Sequence, residues 1–95
     1  MDYRDLRSAL LTKGAATEDR ARDHVFYFIE VDGQSYRATK ISHSAHGQID
    51  DHLLGAIARQ MRLRSKELDS FVACTTSREQ WLVLWRQRGT GHWYS

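Results

Sequence analysis

Five histidines are the residues of this chain best suited to chemistry near neutral pH. An unperturbed imidazole titrates at about 6.5, so it can take or give a proton and can also ligate a metal. Four of them, His24, His43, His46 and His52, fall within one stretch of sequence. Zinc accepts imidazole nitrogens, but this spacing matches no compact ligand pattern and brings no thiolate or well-placed third ligand. Cys74, the one cysteine, has no charged neighbour and reads as a small packed hydrophobe. Asp50 and Asp51 make a poor magnesium site, because adjacent helical residues point about 100° apart, and acids are usual in a first turn. No phosphate loop, dinucleotide fingerprint or nucleophile elbow is present, so neither metal nor cofactor is expected. Proton transfer remains the sharper possibility.

The elements that must position these groups follow from periodicity. Asp2 can cap a first helix in which Tyr3, Leu6 and Leu10 recur at helical spacing, with Gly14 at its stop. The polar segment from Ala15 to Asp23 is either a short edge strand near 15–20 or a loop. The run His24–Val31 (HVFYFIEV) is rich in β-branched and aromatic residues and reads as a strand. Asp32-Gly33 suits a two-residue hairpin turn, and Gln34–Ser42 is the return strand. That turn pairs Val31 with Gln34, Ile29 with Tyr36 and His24 with Ile41.

This register sorts side chains onto two faces, because successive strand residues alternate. Val25, Tyr27, Ile29, Val31, Tyr36 and Ala38 make the better core face. His24, Phe26, Phe28, Glu30, Ser35, Arg37, Thr39, Ile41 and, if the strand extends, His43 make the other. Here His24 and His43 stand diagonally, with Cβ atoms about 7–8 Å apart. Metal-free cleavage of RNA needs a base for the 2′-hydroxyl, an acid for the leaving oxygen and cations for the phosphate. His24 is the candidate acid-base residue, and Arg37, Thr39, Lys40 and His43 are candidate phosphate contacts, Lys40 being adjacent though pointing away. The plain alternative is a pair of strand-end histidines with no catalytic part. A sheet face bearing Phe26 and Phe28 should in any case be covered by a helix, a partner or a nucleic acid.

After the polar turn 44–47 the period becomes helical. Ile49, Leu53, Ile57 and Met61 form a stripe that predicts an amphipathic helix over Gln48–Leu63. Ser65 can cap a short third helix with Leu68, Phe71 and Val72 inward. Ser77-Arg78-Glu79-Gln80 has the spacing of a capping box and starts a last helix through Trp81, Leu84 and Trp85. The tail 89–95 has no periodicity and reads as flexible. The expected architecture is a two-layer α+β domain over 1–88, with a small antiparallel sheet against helices. Its α-β-β-β-α order, followed by extra C-terminal helices, is also that of double-stranded-RNA-binding folds.

The chain has 95 residues and 27% charged residues, so it is one domain at most. Its net charge of +2 is too small to argue nucleic-acid binding alone; only Lys13, Lys40 and Lys66 among the 14 basic residues are lysines, a bias that a GC-rich genome favouring arginine codons would also produce. Guanidinium groups do grip phosphate in a fixed two-pronged geometry. No run is long enough for a membrane span, the opening Met1–Asp5 lacks a signal peptide's apolar segment, and one cysteine gives no disulfide framework. A reducing cytoplasm is the expected compartment.

The stretch from the first helix through DHVFYFIEVDGQSYRATKISHS into IDDHLLGAIARQMRLRSKELDSFV resembles the HicA-type mRNA interferase toxins. Lys13-Gly14, His24, Lys40-Ile41-Ser42-His43 and the helix from Ile49 to Leu63 occupy the places of that family's motifs, over roughly residues 3–73. The resemblance implies a double-stranded-RNA-binding-like fold, endoribonuclease action on mRNA, and a HicB-type antitoxin as partner. The family's catalytic histidine falls on His24. Two departures stand out: Arg22-Asp23 replaces the family's usual Gly-Ser, placing a negative charge where phosphate should approach, and a Trp81/Trp85 helix is added. Both suit the alternative reading of a non-catalytic module that binds RNA or protein across Phe26, Phe28 and Arg37, as a homodimer in one variant.

Overall fold

The computed structural model describes residues 1–21, 23–42, 47–73 and 75–89. Helix α1 (Tyr3–Ser8) continues into a π-helical turn (Ala9–Lys13) and leads to strands β1 (Thr17–Arg20), β2 (His24–Val31) and β3 (Gln34–Ser42). Helices α2 (Asp51–Gln60), α3 (Ser65–Val72) and α4 (Arg78–Gln87) follow. The strands form one antiparallel sheet in the order β1-β2-β3. Val25, Tyr27, Ile29 and Val31 are buried against the helices, so the fold is α+β in two layers. Of the two readings for the polar segment after α1, the edge strand holds. No helix among the described residues is long and apolar enough to cross a membrane.

Local chemistry accounts for the ends of these elements. The Asp2 carboxylate accepts the Arg4 backbone N–H at 2.8 Å and caps α1. Gly14 ends the first helical stretch for want of space: a Cβ there would lie 2.9 Å from the Leu10 carbonyl oxygen and 3.1 Å from Phe71. The left-handed conformation falls instead on Ala15, at φ 53°. Asp32 and Gly33 both take positive φ, 54° and 82°, which makes the two-residue hairpin turn expected of that pair.

Beyond this turn the hairpin departs from uniform alternation. Val31 pairs with Gln34, Ile29 with Tyr36 and Phe28 with Arg37, as a two-residue turn requires. A β-bulge then intervenes, and Tyr27 pairs with Thr39, Phe26 with Lys40 and His24 with Ser42 rather than Ile41. Ala38 and Thr39 consequently both point into the core, 0% and 1% exposed. Thr39 and Ile41 leave the face on which simple alternation places them, and Lys40 and Ser42 take their place. The bulge is held from the helical layer: Gln60 of α2 accepts the Thr39 hydroxyl at 2.6 Å and the Lys40 backbone N–H at 3.1 Å through the same Oε1 atom. A buried hydroxyl needs such a partner, and the Gln60 amide lies far away in sequence.

The helical layer is shorter than periodicity suggests. Asp50 caps α2 by accepting the Leu53 N–H at 2.8 Å, so α2 starts at Asp51 rather than near Gln48. Ile49 and Met61 still enter the core from outside the helix, whereas Leu53 is exposed. Arg62, at φ 60°, turns the chain after α2; its guanidinium stacks 3.9 Å from the Trp85 ring and donates to the Trp85 carbonyl at 2.8 Å. Arg64, not Ser65, is the N-cap of α3. The capping box at Ser77 and Gln80 forms as expected. Trp81 is fully buried, donates its indole N–H to the Met61 carbonyl at 2.9 Å, and packs with Phe71 and Trp85 as the centre of the core. Cys74 and residues 90–95, with all but the first residue of the expected tail, lie outside the described residues.

Candidate functional site

The sheet face turned away from the helices carries a row of rings along β2. His24, Phe26 and Phe28 alternate with buried Val25, Tyr27 and Ile29, and all three are partly exposed. Their centroids lie 6.2 Å apart between His24 and Phe26 and 6.3 Å apart between Phe26 and Phe28. On β3, Arg37 stands opposite Phe28 and Lys40 opposite Phe26, and the Arg37 guanidinium lies 6.0 Å from the Phe26 ring. On β1, Thr17 stands opposite Phe28 and Asp19 opposite Phe26. The face is therefore cationic along β3, aromatic along β2 and acidic on β1, with Glu30 closing the hairpin end.

Among the described residues, the charges on this face have no oppositely charged partner. Elsewhere cations are engaged: Arg7 with Glu18, Arg86 with Asp32, and Arg88 with Glu67. Among the described residues no carboxylate pairs with Arg37 or Lys40, and no cation pairs with Asp19 or Glu30. A free cation on an exposed strand is available to an anion from outside.

Beneath the face a polar network fixes the sheet to α1. Glu18 accepts the Arg7 guanidinium at 2.7 and 3.0 Å and the Tyr27 hydroxyl at 2.9 Å, and the Tyr27 and Tyr3 hydroxyls meet at 3.1 Å. The Arg7 hydrogen bonds hold the Glu18 carboxyl down to about 2, and burial pushes the Tyr27 hydroxyl well above its ordinary range. The aromatic row thus stands on a strand anchored from below.

Next to Phe28 the face deepens into an open groove of about 480 Å³, lined by Thr17, Asp19, Phe28, Glu30, Ser35 and Arg78. Arg78, the first residue of α4, donates to the backbone carbonyls of Gly14 and Glu30, both at 3.3 Å. It lies beside β2 beyond Phe28, where the pairing with β1 stops at Thr17.

Of the residues singled out from sequence, His24, Phe26, Phe28 and Arg37 share this face. Lys40 joins them because of the bulge, correcting the expectation that it points away. Thr39 does not: it is buried on the opposite side with its hydroxyl spent on Gln60, so it is no phosphate contact. His43 and His46 lie outside the described residues, and His52 stands exposed in the first turn of α2, in the helical layer. Among the described residues no three His, Cys, Asp or Glu side chains group as a metal site. The groove residues Thr17, Asp19 and Arg78 carry no sequence signal, since separate elements bring them together. Against family models, curated proteins and solved structures the chain shows no match.

Proposed function

We propose that this chain binds single-stranded RNA across the open sheet face, as a toxin-like RNA-binding protein of the kind the HicA likeness implies. The observation that carries this reading is the row His24, Phe26 and Phe28 lying beside unpaired Arg37 and Lys40 on one exposed surface. Bases stack on aromatic rings, at about 1–3 kcal/mol per base, while neighbouring cations take the phosphates. The strand arrangement supplies both at once: β3 lies about 5 Å from β2, so a backbone following Arg37 and Lys40 lays its bases over the rings. A duplex would not suit this face, because stacking requires unpaired bases.

Binding of a fluorescent ten-nucleotide uridine RNA tests the reading. Phe28→Ala and the Arg37→Ala/Lys40→Ala pair should each weaken it about tenfold or more, since a lost stack costs about 1–3 kcal/mol. Two phosphate contacts predict a slope near −1.4 for log K against log salt, at about −0.7 per phosphate on a single strand. No binding of this RNA, or binding that neither substitution weakens, refutes the reading and leaves the face to a protein, an antitoxin or a second copy of this chain.

Cleavage of the bound strand is the second reading, and the place of His24 favours it. Its imidazole ends the aromatic row partly exposed, on the strand beside the one that a bound backbone would follow. There it would act as the general acid-base group, with Arg37 and Lys40 holding charge on the phosphate. His24→Ala should abolish cleavage of purified RNA while leaving the fold intact by circular dichroism. Equal cleavage by both proteins refutes the catalytic role.

A further inference from the structure

We infer that the groove beside Phe28 selects guanine in the bound strand, with Glu30 as the specificity-determining residue. The inference rests on the RNA-binding reading and deepens it. A base stacked on Phe28 has its phosphate toward Arg37, the residue opposite on β3, and its far edge toward the groove. That groove offers an unpaired carboxylate on Glu30, two residues beyond Phe28 on the same strand and face. Asp19 also lines it, but stands opposite Phe26, one ring further along.

The chemistry of the four base edges decides between them. Guanine presents N1–H and N2–H side by side, and both can donate to the two oxygens of one carboxylate. Adenine and cytosine each present one donor next to a lone-pair nitrogen, which a carboxylate repels. Uracil presents a single donor between two carbonyl oxygens, which repel it likewise. Arg78 lies in the same groove with its two hydrogen bonds at 3.3 Å, both to backbone carbonyls, leaving donors for the guanine O6. Thr17 and Ser35 flank the ring from the two neighbouring strands, opposite Phe28 and Glu30 respectively. A stacking ring, a carboxylate and a cation converging on one groove make up the complement of guanine alone among the bases.

The test uses the whole chain and fluorescein-labelled uridine decamers that carry one central guanosine, adenosine or inosine. The guanosine decamer should bind about tenfold more tightly than the adenosine decamer, as a two-pronged base contact discriminates by about 1–3 kcal/mol. Inosine, which keeps N1–H but lacks the exocyclic amine, should fall between them. Glu30→Gln should bring the guanosine decamer to the affinity of the adenosine decamer, with an unchanged melting temperature, whereas Asp69→Asn on the helical layer should keep the preference. Equal binding of guanosine and adenosine decamers by the unaltered chain, while both bind, overturns guanine selection and leaves the RNA reading standing. Failure of every decamer to bind overturns the RNA reading itself, and this inference with it.

Discussion

Replacing Glu18 by Gln should destabilise the protein at neutral pH and by only about a quarter as much near pH 2.5. The Glu18 carboxylate is 15% exposed and accepts two hydrogen bonds from Arg7 and one from the Tyr27 hydroxyl. These bonds favour its ionised form and lower its pKa from 4.5 to about 2. A depressed carboxyl contributes stability that is present above its unfolded pKa and is lost as the pH falls through the folded one. Full conversion at about 1.36 kcal/mol per unit gives about 3.4 kcal/mol. Solvent reaches Arg7, whose side chain is 41% exposed, and screening halves this to about 1.5–2 kcal/mol. Urea unfolding of both proteins between pH 7 and pH 2.5 measures the difference directly, and the other carboxylates cancel because both chains share them. The gap should hold from pH 7 to about 5.5 and close progressively below that. A gap that stays constant down to pH 3 would falsify the assignment of Glu18 as an ionised anchor and leave only a packing effect.

Two further substitutions test how the face is positioned. Gly14→Ala places a Cβ 2.9 Å from the Leu10 carbonyl oxygen and 3.1–3.2 Å from Phe71 and Trp81. It should cost about 1–3 kcal/mol in urea unfolding, as overpacking does; a neutral result means that the rings move aside freely. Gln60→Leu removes the acceptor of both the buried Thr39 hydroxyl and the Lys40 N–H. It should cost about 1–3 kcal/mol and weaken uridine-RNA binding by releasing the bulge that presents Lys40. Loss of stability with unaltered RNA affinity would separate the bulge from the site.

Much of this architecture was legible because local rules act on neighbouring residues. Asp32-Gly33 takes the positive φ angles that few other pairs tolerate, so the hairpin and its near register follow from two residues. Ser77 and Gln80 form their reciprocal cap within four residues. The alternation of HVFYFIEV alone puts His24, Phe26 and Phe28 on one face, and the structure agrees. Helix lengths were less legible, since apolar periodicity marks every residue that enters the core, including Ile49 and Met61 outside α2, whereas the ends depend on the Asp50 cap and the turn at Arg62.

What sequence determined by itself is therefore the hairpin, the aromatic row and the α+β order, because each depends on backbone preferences and on contacts short in sequence. Tertiary structure decided which basic residues accompany that row. Ala38 and Thr39 are both small enough to turn inward, and only Gln60, arriving from α2, makes burying the Thr39 hydroxyl affordable. That one long-range bond moves Lys40 to the open face and Thr39 to the core. The groove has the same origin, since Arg78 reaches Gly14 and Glu30 only after the last helix has packed.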